Sequence, residues 1–325
     1  MKEKNNRIIP QVVSFLKTHG ILTGFLVICI LLSIATPTFL SVSNITTVLK
    51  QVSCIGIASI GVGLLIIMNC IDLSIGSMFA LNGVIAGLMV SSGTGGYGLP
   101  SIVGFLVGIL SGVIFSGITG VIVAKGRIPA FIVTLGTQSI ARGLALIFAH
   151  GMPVGNFPAS FCYIGTSSAF GVFPWLVIIY ILVIIVMNFI MKKRPFGRYL
   201  YAVGGNEEAA KVAGINVDMI KIQAYLIEGF LVGLGAVMMA SRLKSAAPAL
   251  GQGYEGDAIA GCIIGGVSFT GGIGTVFDMV LGALVIGVIN NGMDLLGVDA
   301  FYKNVVKGSI IILAVLMDRK RAGRG

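Results

Sequence analysis

The sequence has 325 residues, of which 56% are hydrophobic and only 10% are charged, and its mean hydropathy is +1.01. Soluble chains carry about 25% charged residues, so this composition excludes a water-soluble enzyme, a disordered chain and a secreted disulfide scaffold. The chain therefore belongs in a lipid bilayer. Its formal net charge of +10 is explained by orientation in the membrane and by contact with anionic lipid.

A spanning helix needs about 20 mostly apolar residues, and runs of this kind predict an all-α polytopic membrane protein with about ten transmembrane helices. In chain order the predicted spans are 21–40, 50–68, 76–92, 101–124, 130–149, 173–191, 219–241, 258–270, 275–292 and 305–317. The run at 258–270 is short enough to be a half-helix, which would change the count.

The distribution of basic residues predicts which side each loop occupies. Most lysines and arginines fall in the tails and in alternate loops, so the positive-inside rule places both termini in the cytoplasm. The predicted organisation is a cytoplasmic tail at 1–20, a single transmembrane domain at 21–317 that contains a cytoplasmic loop at 192–218, and a cytoplasmic tail at 318–325. The charges are spread over separate loops without interleaved aromatics, which argues against nucleic-acid binding.

Residues that carry out chemistry are scarce in this sequence. The two histidines, His19 and His150, have no cysteine, histidine or carboxylate at ligand spacing, so no metal site is predicted. No phosphate-binding loop and no nucleophile elbow occurs, which predicts that the chain uses no cofactor and is not an enzyme. A transporter, a channel or a membrane subunit that serves another protein remains.

The longest hydrophilic stretch, residues 192–218, predicts a short helix. Asn206 suits an N-cap, Glu207 and Glu208 suit the positive end of a helix, and Gly214 suits its C-terminal stop. A helix of about seven residues is marginal alone in water, so either its own loop or a groove in a partner must hold it.

The segment Glu208-Ala209-Ala210, followed after three residues by Gly214, resembles the cytoplasmic loop of ABC-importer permeases, in which a short coupling helix docks into the nucleotide-binding subunit. Five further blocks resemble the ribose-type monosaccharide permeases between about residues 50 and 317. They are Ile71-Asp72-Leu73-Ser74-Ile75-Gly76-Ser77, Thr134-Leu135-Gly136-Thr137 with Arg142-Gly143-Leu144-Ala145, Tyr254-Glu255-Gly256-Asp257-Ala258-Ile259-Ala260, Gly265-Gly266-Val267-Ser268-Phe269-Thr270-Gly271-Gly272-Ile273-Gly274-Thr275, and Asn291-Gly292 with Leu295-Leu296-Gly297.

The resemblance implies a permease subunit of a bacterial ABC importer for ribose or a similar pentose or hexose, located in the cell membrane. It implies three protein partners: a second permease that is either another copy of this chain or a close paralogue, an ATPase subunit that hydrolyses ATP, and an extracytoplasmic sugar-binding protein. It also implies that the coupling residues are Asn206, Glu207, Glu208, Ala209, Ala210 and Gly214. Four residues depart from the family pattern, namely Asn69 and Cys70 in place of two glycines, Gly256 in place of leucine, and Asp278 in place of glycine.

Polar residues within apolar runs are candidates for the translocation path, because such residues are costly in lipid. They are Asn69, Asp72, Ser74, Gln138, Arg142, Glu228, Ser268, Phe269, Asn290 and Asn291. Each has an alternative role: Asp72 could cap the next helix, Arg142 and Glu228 could pair across helices, and the two asparagines could cap the end of a span.

A second hypothesis for the whole chain is a self-sufficient, ion-coupled secondary transporter or channel for a small polar solute. It would need a buried carboxylate that takes up protons, and Glu228 is the obvious mid-span candidate.

Close helix packing is predicted by glycines at four-residue spacing, namely Gly104, Gly108 and Gly112 with Gly229 and Gly233.

Overall fold

A computed structural model describes residues 20–93 and 95–322, so all but the last residue of the predicted N-terminal tail lies outside the described chain. Within these residues the protein is almost entirely helical, with one two-stranded hairpin. The helices are α1 Gly20–Ala35, α2 Val42–Ile67, α3 Ile75–Val90, α4 Ser101–Gly126, α5 Ala130–Phe148, α6 Ala159–Thr166, α7 Trp175–Lys193, α8 Pro195–Gly205, α9 Glu207–Val212, α10 Val217–Leu243, α11 Tyr254–Gly265, α12 Val276–Leu295 and α13 Ala300–Ala322. The hairpin pairs β1 Ser168–Ala169 with β2 Phe173–Pro174.

In the part of the chain that the structure describes, six helices are long and apolar enough to cross a membrane, namely α2, α4, α5, α7, α10 and α12. Residues Ile21–Ala35 of α1 and all of α3 are apolar but shorter. Helix α11 has 12 residues, about 18 Å at 1.5 Å per residue, so it cannot span the bilayer alone. The all-α membrane fold is thus confirmed, whereas the count of ten spans and the cytoplasmic position of the termini stay predictions.

The helix ends gather on two opposite sides of the bundle. The α9 side, as we name it, carries the chain segments 67–74, 126–130, 193–217 and 266–275. The first and the last of these are joined by a hydrogen bond of 2.8 Å from the Gly272 amide to the Ile67 carbonyl. The far side carries the hairpin and the loops at 91–100, 149–158 and 244–253, where Val154 and Ala246 pair as an isolated bridge. Helix α7 begins on the far side at Trp175, the single tryptophan of the sequence.

Helices α2 and α10 form the centre of the bundle. In their most apolar windows 83% of α2 and 67% of α10 is buried, compared with 28% for α5 and α7. Every residue of α2 from Ser59 to Ile67 is buried. The outer helices instead expose rows of leucine, isoleucine and phenylalanine, as expected for surfaces that lipid covers.

The predicted packing of glycines is confirmed where α4 crosses α10. A Cβ atom on Gly112 would lie 2.4 Å from the Gly229 carbonyl oxygen, and one on Gly229 would lie 2.4 Å from the Gly112 carbonyl oxygen. Because the backbones touch, no side chain larger than hydrogen fits at either position. The two helices therefore pack as a close pair through small residues.

Two breaks in the apolar pattern become irregular segments on the α9 side. Residues 68–74 connect α2 to α3, and residues 266–275 connect α11 to α12. The second break ends in a capping box, because the Asp278 amide donates to the Thr275 hydroxyl and the Asp278 carboxylate accepts from the Thr275 amide at 2.7 Å. Asp278, which departs from the family pattern, therefore forms part of the cap that starts helix α12.

Candidate functional site

The predicted short helix is present as α9, Glu207–Val212. The side-chain oxygen of Asn206 accepts from the Ala209 amide at 2.9 Å, which is the expected N-cap contact. Gly214 follows the helix with φ of +83°, and the next amide, that of Ile215, returns to the Ala210 carbonyl at 3.0 Å. Both ends of the helix are thus fixed by the residues that local sequence rules select.

The residues of α9 divide into an anchored face and an exposed face. Ala210 is buried, and Glu207 accepts from Lys221 of α10 at 2.8 Å and pairs with Lys211 at 3.0 Å. Burial alone would raise the pKa of Glu207, but the hydrogen bonds from Lys221 and Lys211 outweigh it and hold this pKa below its ordinary value. These contacts fasten α9 to its own chain.

The exposed face of α9 has Glu208, whose side chain is 83% exposed, and Val212, which is 90% exposed. Ala209 lies on the same surface. Sequence reasoning selected Glu208 and Ala209 but missed Val212, although an apolar residue beside two acidic residues in a short loop was a readable signal. Glu208, Ala209 and Val212 together form the exposed face of α9.

Helix α8 joins α9 to the membrane domain through backbone contacts. A Cβ atom on Gly204 would lie 1.8 Å from the carbonyl oxygen of Ile67, at the end of α2, and 3.0 Å from the amide of Gly272. The Tyr201 hydroxyl adds a hydrogen bond of 2.6 Å to the Gly274 carbonyl. Helix α8 therefore contacts both the end of α2 and the glycine-rich segment 266–275.

A cavity of about 820 Å³ opens on the α9 side between α4, α9 and α10. Asn69 lines it, together with Arg127, Glu207, Lys211 and Lys221. Asn69 has φ of +59°, a conformation that asparagine tolerates better than most residues. The first predicted path residue thus lies at this opening and beside α9.

Asp72, Ser74 and Glu228 belong to one buried cluster deep in the bundle. Asp72 accepts from the Ser74 amide at 2.5 Å and from its hydroxyl at 2.7 Å, so it caps the turn before α3. Ser116 donates to Glu228 at 2.6 Å, and the sulfur of Met78 lies 3.5 Å from the hydroxyl oxygens of both serines. Asp72 and Glu228 have no solvent exposure, so neither side chain lines an open path in this conformation.

The possible pairing of Arg142 with Glu228 does not occur. Arg142 instead donates to the carbonyl oxygens of Pro248 and Leu250, the latter at 2.9 Å. Those carbonyls belong to the non-helical segment 244–253, where they lack the helical partners that would otherwise occupy them. The position of Arg142 within a span could not predict which segment its side chain would contact.

Arg142 and Gln138 share one face of α5, as predicted, and this face opens into a cavity of about 520 Å³. Ser77, Gln252 and Glu255 also line the cavity. Gln252 and Glu255 were missed as path candidates, although the polar residues before the short run at 258–270 were a visible signal. The result is a concavity lined by charged and polar side chains.

The remaining candidates hold the helices together. Ser268 and Phe269 lie on the α9 side, where the Phe269 amide donates to Asp318 of α13 at 2.9 Å. Asn290 donates to Asp257 at 3.1 Å, and Asn291 exchanges two hydrogen bonds with Asn44 of α2 at 2.8 and 3.0 Å. Neither asparagine caps the end of α12, since the helix continues to Leu295.

The comparisons with known proteins agree over nearly the whole chain. The family described as branched-chain amino acid transport system, permease component, matches residues 44–315. The chain is similar to the ribose import permease of Haemophilus influenzae, with 39% identity over 97% of both chains. It is 38% identical to the ribose import permease of Escherichia coli over 92% of this chain and 93% of that one.

It is also 35% identical to the L-arabinose ABC transporter permease of Azospirillum brasilense, over 93% of this chain and 87% of the relative. No solved structure matches the chain.

Proposed function

The chain belongs to the family of ribose-type ABC transporter permeases, and from that premise we propose that it forms the translocation path of a monosaccharide importer and is driven by a separate ATPase chain. The relatives it matches are named for ribose, L-arabinose, D-allose and galactose. A pentose or hexose is therefore the proposed substrate, and a secreted sugar-binding protein is the proposed source of selectivity.

Helix α9 is the proposed docking point for the ATPase, and its position is the observation that carries the proposal. Glu208, Ala209 and Val212 are exposed, while Glu207 and Ala210 hold the helix to α10. A partner that grips this face pulls on α8, and Gly204 transmits the motion because its backbone touches α2. On this proposal the α9 side faces the cytoplasm.

The docking proposal is tested by co-purification and uptake in membranes that also contain the ATPase chain of the importer. We expect Glu208→Ala to weaken retention of the ATPase and to abolish uptake, without loss of membrane insertion. Asp218→Asn is the matched control, because Asp218 is an exposed acidic residue on the same side but lies in the first turn of α10. Equal retention and uptake in both variants would remove the coupling role from α9.

We further propose that two copies of the chain pair across the cavity lined by Gln138, Arg142 and Glu255. Charged groups at membrane depth are costly when they face lipid, so a second copy and a water-filled path between the copies are the favoured surroundings. Such a path also needs only weak contacts with the sugar, because the affinity is supplied by the secreted protein.

Cross-linking tests the pairing. Ser139 is exposed beside the cavity, and Leu182 is exposed on α7. We expect Ser139→Cys to give cross-linked dimers with a bifunctional thiol reagent and Leu182→Cys to give none above the wild-type background. Cross-linking of Leu182→Cys alone would place the partner on another face.

The self-sufficient transporter is the second candidate, and the similarity to ABC transporter permeases favours the importer over it. Its proposed proton-binding residue, Glu228, is fully buried, is bonded to Ser116, and packs against Gly61 of α2. Reconstitution of the lone chain distinguishes the two functions, because sugar flux driven by a proton gradient in the absence of ATP would favour the secondary transporter.

A further inference from the structure

A second cavity of about 270 Å³ lies on the outer surface of the bundle between α7 and the start of α12. On α7 the lining residues are 184, 185, 188, 189, 192 and 193, a spacing that places them on one face of the helix. Phe277 forms the opposite wall. Phe189 is 50% exposed and Phe277 is 57% exposed, so the groove is open to the surrounding bilayer.

The groove changes character along its length. Ile184, Ile185 and Phe189 make its deeper part apolar, whereas Lys192 and Lys193 stand at its end on the α9 side. The Lys192 ammonium lies 5.7 Å from the centre of the Phe277 ring, so the charge stands at the mouth of the apolar groove. An amphiphile with an apolar chain and a negative head matches this order of groups.

The basic residues at the mouth have no acidic partner within residues 20–93 and 95–322. Of the ion pairs in that part of the chain, none includes Lys192, Lys193 or the adjacent Arg194. The Arg194 guanidinium lies 5.3 Å from the centre of the Phe189 ring, and this contact keeps a third positive charge near the groove. These three basic side chains at the end of the groove therefore favour an anionic ligand.

An orphaned amide lies between the charged and apolar parts. The side-chain oxygen of Asn188 is buried and has no hydrogen-bond partner in the described chain. Asn188 is one turn before Lys192, so it lies about 6 Å deeper along the helix. Asn188 thus lies at the depth that the ester groups of a phospholipid occupy below the phosphate, between the basic and the apolar residues of the groove.

We propose that this groove binds an anionic phospholipid from the leaflet on the α9 side, with an acyl chain along Ile185 and Phe277 and the phosphate at Lys192 and Lys193. Basic pockets between membrane helices bind anionic head groups by this combination of charge and apolar contact. The proposal is independent of the transported solute, since α7 and the first turn of α12 lie outside the cavity that contains Arg142.

Native mass spectrometry of the detergent-solubilised full chain, titrated with phosphatidylglycerol or phosphatidylcholine, tests the proposal. Each basic residue near an anionic lipid contributes about a fivefold gain in affinity. We therefore expect the double variant Lys192→Gln/Lys193→Gln to bind phosphatidylglycerol about 30-fold more weakly at low ionic strength. Its binding of phosphatidylcholine should not change.

Two further variants separate a built groove from general surface charge. Lys125→Gln/Arg127→Gln removes two basic residues from the α9-side end of α4 and should leave phosphatidylglycerol binding intact. Phe277→Ala keeps every charge but removes one wall of the groove, so it should weaken binding. Thermal unfolding without added lipid shows whether each variant is folded.

The competing outcomes are distinct. Full competition by free glycerol phosphate would show that the lysines bind a phosphate alone and would overturn the lipid assignment. Equal binding of the two lipids by the wild type, or an equal loss in the Lys125→Gln/Arg127→Gln control, would show that no specific site exists at α7 and α12.

Discussion

Replacing Gly204 by alanine should uncouple the ATPase from transport. The added Cβ atom would lie 1.8 Å from the Ile67 carbonyl oxygen, and ordinary van der Waals contact begins at 3.4 Å, so α8 must move by about 1.6 Å. The obstacle is backbone, which cannot rotate away as a side chain can. Overpacking of this kind costs about 1 to 3 kcal/mol.

The neighbouring Gly205 supplies the control, because a Cβ atom there meets nothing within 4 Å. Gly205→Ala should therefore be neutral, or stabilising by about 0.5 to 1 kcal/mol through helix propensity. The assay is ATP hydrolysis and ATP-dependent sugar uptake by the reconstituted importer, together with the Tm of the isolated chain.

We expect Gly204→Ala to lower the Tm and to reduce uptake more than ATP hydrolysis, since the ATPase still docks but its movement no longer reaches α2. The reasoning would be refuted if Gly204→Ala and Gly205→Ala gave the same Tm and the same ratio of uptake to hydrolysis.

Two ion pairs give further predictions. Lys221→Gln should cost about 0.5 to 1 kcal/mol at neutral pH because it removes a partly exposed pair with Glu207. The pKa of Glu207 is lowered in the folded protein. The stability that the pair contributes is therefore fully present above the unfolded pKa of about 4.3 and is lost as the pH falls through the folded pKa. A difference in Tm between wild type and variant that stays constant into acid would contradict this. Lys307→Met should be more damaging, about 3 to 5 kcal/mol, because it leaves the buried carboxylate of Asp257 with only the Asn290 amide. Unfolding measurements on Lys307→Met and on Asp257→Asn/Lys307→Met check this, and the double variant should recover most of the loss; no recovery would mean that packing of the lysine stem, not its charge, is what matters.

Local features of the fold could be predicted from sequence because short-range rules determine them. Asn206 and Gly214 fix the two ends of α9 by contacts within a few residues, and the structure has the helix where these residues place it. The capping box of Thr275 and Asp278 follows the same kind of local rule, although the comparison with the family pattern marks Asp278 only as a departure.

Contacts between distant segments could not be predicted in this way. Glu228 and Arg142 lie in different spans, and no rule of spacing shows that one would meet Ser116 and the other the carbonyls of segment 244–253. Gln252 and Glu255 reach the cavity of Arg142 because a half-length helix starts there, and the depth of that start depends on packing against α3.

The position of Trp175 provides a spectroscopic probe. It is the only indole in the sequence, it begins α7 on the far side, and its ring nitrogen is buried without a hydrogen-bond partner in the described chain. Fluorescence excited beyond the absorption of the eight tyrosines therefore reports from one location in the unlabelled chain, opposite the face where α9 lies. A shift in emission colour on addition of nucleotide to the assembled importer would register motion that has crossed the entire thickness of the membrane.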